Sequence, residues 1–133
     1  MANFDKNIDN KFEDTQYFSL SIVDGIFYCY FKKIDMMYLP FTEASVNHRL
    51  KFMEGKSYPC FFEITQVKQS TKEARDYLAN EGNELVAASA ILVSSPMLKM
   101  MANFFILVNK PKNPTRLFTS KESALEWLTH FKR

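Results

Sequence analysis

The stretch Tyr58 to Leu78, YPCFFEITQVKQSTKEARDYL, decides the fold class. Its first half is a short, nearly continuous apolar run, and its second half is polar with hydroxyls in front of a helix-forming segment. A buried strand feeding a capped helix is the repeating unit of an α/β sheet. Ser70, Thr71, Lys72 and Glu73 have the spacing of a capping box. In that arrangement the Ser70 hydroxyl accepts from the Glu73 backbone N–H, and the Glu73 carboxylate accepts from the N–H of Ser70. The spacing predicts a strand over Pro59 to Thr65 and a helix from Thr71 to about Asn80, burying Ala74, Tyr77 and Leu78.

Upstream, Tyr17 to Val23 and Ile26 to Phe31 are β-rich runs on either side of Asp24-Gly25. That dipeptide favours the positive φ values of a primed hairpin turn. Thr42 to Glu54 reads as a helix with Ala44, Val46, Leu50 and Met53 toward the core and Gly55 as its stop. Residues 1–16 are rich in charges and amides, with only Phe4, Ile8 and Phe12 large and apolar, and read as a loosely held tail before a domain over 17–133.

Downstream, Val86 to Val93 is a second apolar strand of the kind covered on both faces. Ser95-Pro96 opens a helix expected to reach about Val108. Arg116 to Phe118 forms a last short strand. Thr119 to Glu122 reads as another capping box, and Ala124, Leu125, Trp127, Leu128 and Phe131 give the final helix a broad apolar stripe. The order β-β-α-β-α-β-α-β-α argues for one α/β domain: a mixed, mainly parallel sheet of about five strands, an N-terminal hairpin and four helices.

Composition narrows the function classes. Thirteen phenylalanines stand beside only 3 glycines in 133 residues, which leaves little for a phosphate-cradling loop. The net charge of +2 is too balanced for bulk attraction to nucleic acid. Lys110, Lys112 and Arg116 read as solvated loop charge. No apolar run approaches the ~20 residues of a membrane-spanning helix. Cys29 and Cys60 sit inside apolar runs and read as buried thiols in a reducing cytoplasm. His48 and His130 lie on different helices without neighbouring ligands, so neither a metal nor a cofactor is expected.

Three segments carry a family resemblance: FFEITQVKQSTKEAR at 61–75, ILVSSP at 91–96 and PTRLFTSKESALEWL at 114–128. With the element order, they resemble the STAS fold of bacterial anti-sigma-factor antagonists, and more closely a divergent STAS-like family of unknown function. The resemblance spans Tyr17 to Arg133. It implies a bacterial regulatory domain that works by binding another protein. In the antagonists a partner kinase phosphorylates a serine in an Asp-Ser-x-Gly-like turn. The matching turn here is Lys68-Gln69-Ser70-Thr71-Lys72, which keeps hydroxyls and lacks the aspartate and glycine.

Two candidate sites follow. Ser70, Thr71 and Lys72 form either a plain helix cap or a phosphorylation or anion site, since a helix N-terminus favours added negative charge. The segment PMLKMMANFFILV at 96–108 carries more apolar surface than one sheet face can cover, with Met97, Met100, Met101, Phe104 and Phe105 in excess. It is read as a homodimer face, a helix wedged deep in the core, or the wall of a pocket for an apolar, lipid-like ligand. The expectation is a non-enzymatic, cytoplasmic protein-binding or regulatory domain, with a carrier or sensor of an apolar small molecule as the alternative.

Overall fold

Asp24 and Gly25 have φ values of 51° and 81°, and the strands they join pair in register from Val23↔Ile26 to Phe18↔Phe31. The primed turn therefore forms, and the rest of the sheet grows from this hairpin. The computed structural model describes residues 10–101 and 112–132, the side chains of 99–101 excepted. The elements are β1 (Lys11–Asp14), β2 (Phe18–Val23), β3 (Ile26–Phe31), β4 (Ile34–Met37), α1 (Leu39–Met53), β5 (Tyr58–Glu63), β6 (Val67–Ser70), α2 (Lys72–Ala79), a 3-10 turn (Glu81–Asn83), β7 (Val86–Leu92), α3 (Ser95–Met101), β8 (Thr115–Phe118) and α4 (Lys121–Thr129).

The main sheet has six strands in the order β1-β2-β3-β5-β7-β8. Strands β3, β5, β7 and β8 run parallel, and β2 and β1 add on antiparallel. The mixed, mainly parallel α/β architecture expected from the element order is thus present. Strands β4 and β6 form a separate two-stranded parallel ribbon. They leave the C-terminal ends of β3 and β5 and return the chain to α1 and α2.

Alternation along the strands sorts the core onto two faces. Phe18, Leu20, Phe27, Cys29 and Cys60 form one apolar layer with Phe52 and Met53 of α1. On the opposite face Phe61, Ala88 and Ala90 receive Ala124 and Leu128 of α4. Trp127 lies with its ring centroid 5.7 Å from Phe118 and 4.8 Å from Phe131, so the expected aromatic stripe packs as its spacing implies.

Four expectations are corrected. Lys11–Asp14, inside the segment read as a tail, is an edge strand. Its inward positions are charged: Lys11 reaches Glu54 at 2.7 Å and Glu13 reaches His48 at 3.0 Å. Helix α1 begins three residues earlier than expected and buries Thr42, Val46, Arg49, Phe52 and Met53, while Ala44 is exposed. The N-cap of α2 is Thr71, whose hydroxyl accepts from the Ala74 N–H; Ser70 belongs to the β6 ladder opposite Met37. The N-cap of α4 is Ser120, one residue beyond the expected Thr119. In both pairs of hydroxyls the helix takes the second as its cap, and in the first pair the β6 strand holds Ser70; each glutamate is thereby moved off the position a capping box needs.

Candidate functional site

The C-terminal half of the parallel strands holds a cavity of about 110 Å³. Its floor is small at the centre, with Cys29 and Ser89, and bulky at the sides, with Phe31, Phe62 and Ile91. Helices α1 and α2 roof it through Val46, Arg49, Arg75 and Leu78, and the β4–β6 ribbon closes one end with Met37, Val67 and Ser70. In α/β sheets the carboxyl ends of the strands are where chain connections diverge and leave room for a ligand.

Two arginines line this space. Arg49 is only 4% exposed. One terminal nitrogen donates to the Glu84 carbonyl at 3.0 Å and lies 3.2 Å from the Met53 sulfur, and the other donates to the Gly82 carbonyl at 3.0 Å. Burial lowers its pKa from the ordinary guanidinium value. Helix α1 is thereby tied to the loop before β7, where Leu85 adopts a φ of 63°. A leucine in that region stores strain that surrounding contacts must hold.

Arg75 is half-buried and donates from one terminal nitrogen to the Ser70 carbonyl at 2.6 Å and the Ser70 hydroxyl at 3.3 Å. Among the described residues, neither arginine forms an ion pair with a carboxylate, and no aspartate or glutamate lines the cavity.

The sequence-derived residues divide around this site. Ser70 lies on the cavity wall; Thr71 caps α2 beside it; Lys72 is exposed and pairs with Asp76 at 2.8 Å. Lys68 also points outward, 3.5 Å from Asp35. Met97 is half-buried against Ile91 and Val93, next to the cavity floor. The side chains of Met100 and Met101, and all of Phe104 and Phe105, lie outside the described residues. Both cysteines are buried; desolvation pushes the Cys60 thiol up to about 12 and raises Cys29 in the same sense, with Arg49 partly opposing both. No group of metal-ligating side chains occurs among the described residues. No described helix is long and apolar enough to cross a membrane.

Sequence reasoning missed both arginines. The signal for Arg49 is its place in the series Thr42, Val46, Arg49, Met53, spaced by four, three and four residues along one helical face.

Among the described residues, the other sheet face is only partly covered. Helix α4 packs on β5, β7 and β8. Over β1 to β3, Phe12, Ser21 and Tyr28 stand side by side in register, with Phe12 70% exposed and Val23 41% exposed nearby.

A family model described as a domain of unknown function, DUF7793, matches residues 20–132. The chain belongs to this family. Among solved structures, the DUF7793 chain is similar to an uncharacterized protein of the DUF3478 family from Shewanella loihica PV-4, described as having a SpoIIAA-like fold. The TM-score is 0.58 at 16% identity, over 87% of this chain and 98% of that one. At that identity the likeness is one of fold, and it agrees with the STAS-like architecture expected from the sequence. No curated protein matches this DUF7793 domain.

Proposed function

We propose that this DUF7793 domain is a non-enzymatic binding domain that takes a small apolar molecule into the cavity beneath α1 and α2. The observation that carries this reading is the cavity itself, about 110 Å³ at the carboxyl ends of the parallel strands, with a largely apolar lining. Its size sets the scale of the ligand. An engineered cavity of about 150 Å³ holds benzene, so this one suits a body of a few carbon atoms better than a long acyl chain. The hydroxyls and thiol on its wall have no histidine or carboxylate beside them within the lining to act as a base.

The test is a titration with isovaleramide and isovalerate, two small branched molecules of nearly equal shape, followed by methyl NMR. Saturable shifts at Val46, Val67 and Ile91 with at least one of them, lost when Ser89→Val narrows the cavity, support the reading. No saturable shift with either at millimolar concentration overturns it.

A second reading, a regulatory domain that binds a protein partner, draws on the sheet face over β1 to β3, beside the part that α4 covers. Exposed Phe12 and Val23 beside half-buried Tyr28 and Tyr30 form the apolar part of a docking surface of the sort found at interfaces. A self-associating domain would show a dimer by light scattering that Phe12→Ser weakens. A monomer at all concentrations removes the homodimer.

A further inference from the structure

Resting on the cavity reading above, we infer that the ligand is a small carboxylate, with its head group on Arg75 and its apolar body against Phe31, Phe62 and Ile91. The charges on the cavity wall are of one sign. Arg49 and Arg75 both line it, no aspartate or glutamate does, and neither guanidinium has a carboxylate partner among the described residues. The Glu84 carboxylate acts on Arg49 only from outside the lining, so the wall itself is cationic and attracts an anion, and the apolar surroundings strengthen that attraction beyond its value in water.

The two arginines are not equivalent. Both terminal nitrogens of Arg49 already donate to backbone carbonyls, so its part is the field of a buried positive charge. Arg75 commits one terminal nitrogen to Ser70. Its Nε and second terminal nitrogen make no hydrogen bond to described residues. Those two N–H groups form the fork that accepts a planar carboxylate through two parallel hydrogen bonds. The contact with Ser70 fixes the plane of the fork before any ligand arrives, which lowers the ordering cost of binding.

The limited volume beyond the head group selects a compact body, and its walls select an apolar one. A short branched-chain carboxylate satisfies both, whereas a long-chain fatty acid exceeds the space.

The experiment compares isovalerate with isovaleramide on the full chain by NMR titration, in the unmodified protein and in Arg75→Gln. The inference expects isovalerate to bind about tenfold tighter or more, equivalent to roughly 1.4 kcal/mol. Arg75→Gln should cut that preference several-fold, because isovalerate loses two charge-assisted hydrogen bonds where isovaleramide loses at most a neutral one, and should leave the circular dichroism spectrum unchanged. Equal affinity for the two molecules in the unmodified protein overturns the carboxylate assignment and leaves the cavity reading standing. A preference undiminished in Arg75→Gln overturns the role of Arg75. If neither molecule binds, the cavity reading falls and this inference with it.

Discussion

Replacing Arg49 with alanine tests the most unexpected packing decision in this chain. The guanidinium is buried and donates to the carbonyls of Gly82 and Glu84, across the gap between α1 and the loop leading into β7. A hydrogen bond from a charged donor contributes about 1.5–3 kcal/mol net, and a buried carbonyl left without a donor costs about 1–3 kcal/mol. Against this stands the relief of no longer desolvating a cation, a term of several kcal/mol that alanine removes. A third term decides the sign. The loop that Arg49 holds contains Leu85 at a φ of 63°, and loosening it disturbs the adjacent pairing of Tyr58 with Val86.

The expected net destabilisation for Arg49→Ala is about 2–4 kcal/mol. For a chain of this length that corresponds to a fall in melting temperature of roughly 6–20 °C. Arg49→Lys should be no milder, because one ammonium group keeps the desolvation cost while losing the planar fork that spans two carbonyls. Urea denaturation of the three proteins, followed by circular dichroism, measures these differences directly. A change within ~0.5 kcal/mol for Arg49→Ala, the range of ordinary surface substitutions, would show that the side chain is not the tie described here.

The helix caps make a sharper local test, because sequence and structure assign different residues. Thr71→Ala should cost ~1 kcal/mol and Ser70→Ala clearly less, since only Thr71 accepts from a backbone N–H of α2; denaturation midpoints in the reverse order would restore Ser70 as the cap. Alkaline stability follows from the buried thiols. Cys60, held at about 12, and Cys29, raised likewise, stay protonated in the fold while their unfolded counterparts ionise near pH ~8.5. Their contribution is therefore complete below that pH and lost as pH rises toward the folded values, so the melting temperature should fall from about pH 9 to 11, less steeply in Cys60→Ala. An identical slope in that variant would remove the thiol from the explanation.

The fold was legible wherever one residue pattern admitted one solution. Asp24-Gly25 between two β-rich runs has a single good hairpin geometry, and the apolar runs at Cys60 and Ala88 are too short and too flanked by turn residues for helices. The strands β1, β4 and β6 were illegible for a physical reason. Each has four residues, too few for a periodic pattern to register, and in β1 the half-buried positions are charged: Lys11 and Glu13 are satisfied by Glu54 and His48. The caps were displaced because adjacent hydroxyls offer two equivalent cap positions, and at Ser70 it is the β6 ladder that chooses between them. The cavity was illegible altogether. It arises where small and polar residues from β3, β7 and α1 come together in space, and no linear pattern joins Cys29, Ser45 and Ser89.

That convergence bears on whether the cavity is a defect. At about 24 cal/mol per Å³, a void of 110 Å³ costs roughly 2–3 kcal/mol of the 5–15 kcal/mol typical of a whole domain. Elsewhere the chain fills its core with aromatic rings: Phe27 and Phe61 are both fully buried within the same sheet. Ser89 sits in the middle of a central strand, where a β-branched apolar residue packs well. Ser89→Val should stabilise the empty protein by about 1 kcal/mol, near the value of a newly buried methylene, and should abolish the isovalerate shifts at Ile91. Stability gained together with binding lost is the signature of space kept open for a ligand. Stability gained with no binding to lose would mark a packing fault. If Ser89→Val instead lowered stability, the space above Ser89 would already be filled, and the site argued here would not exist.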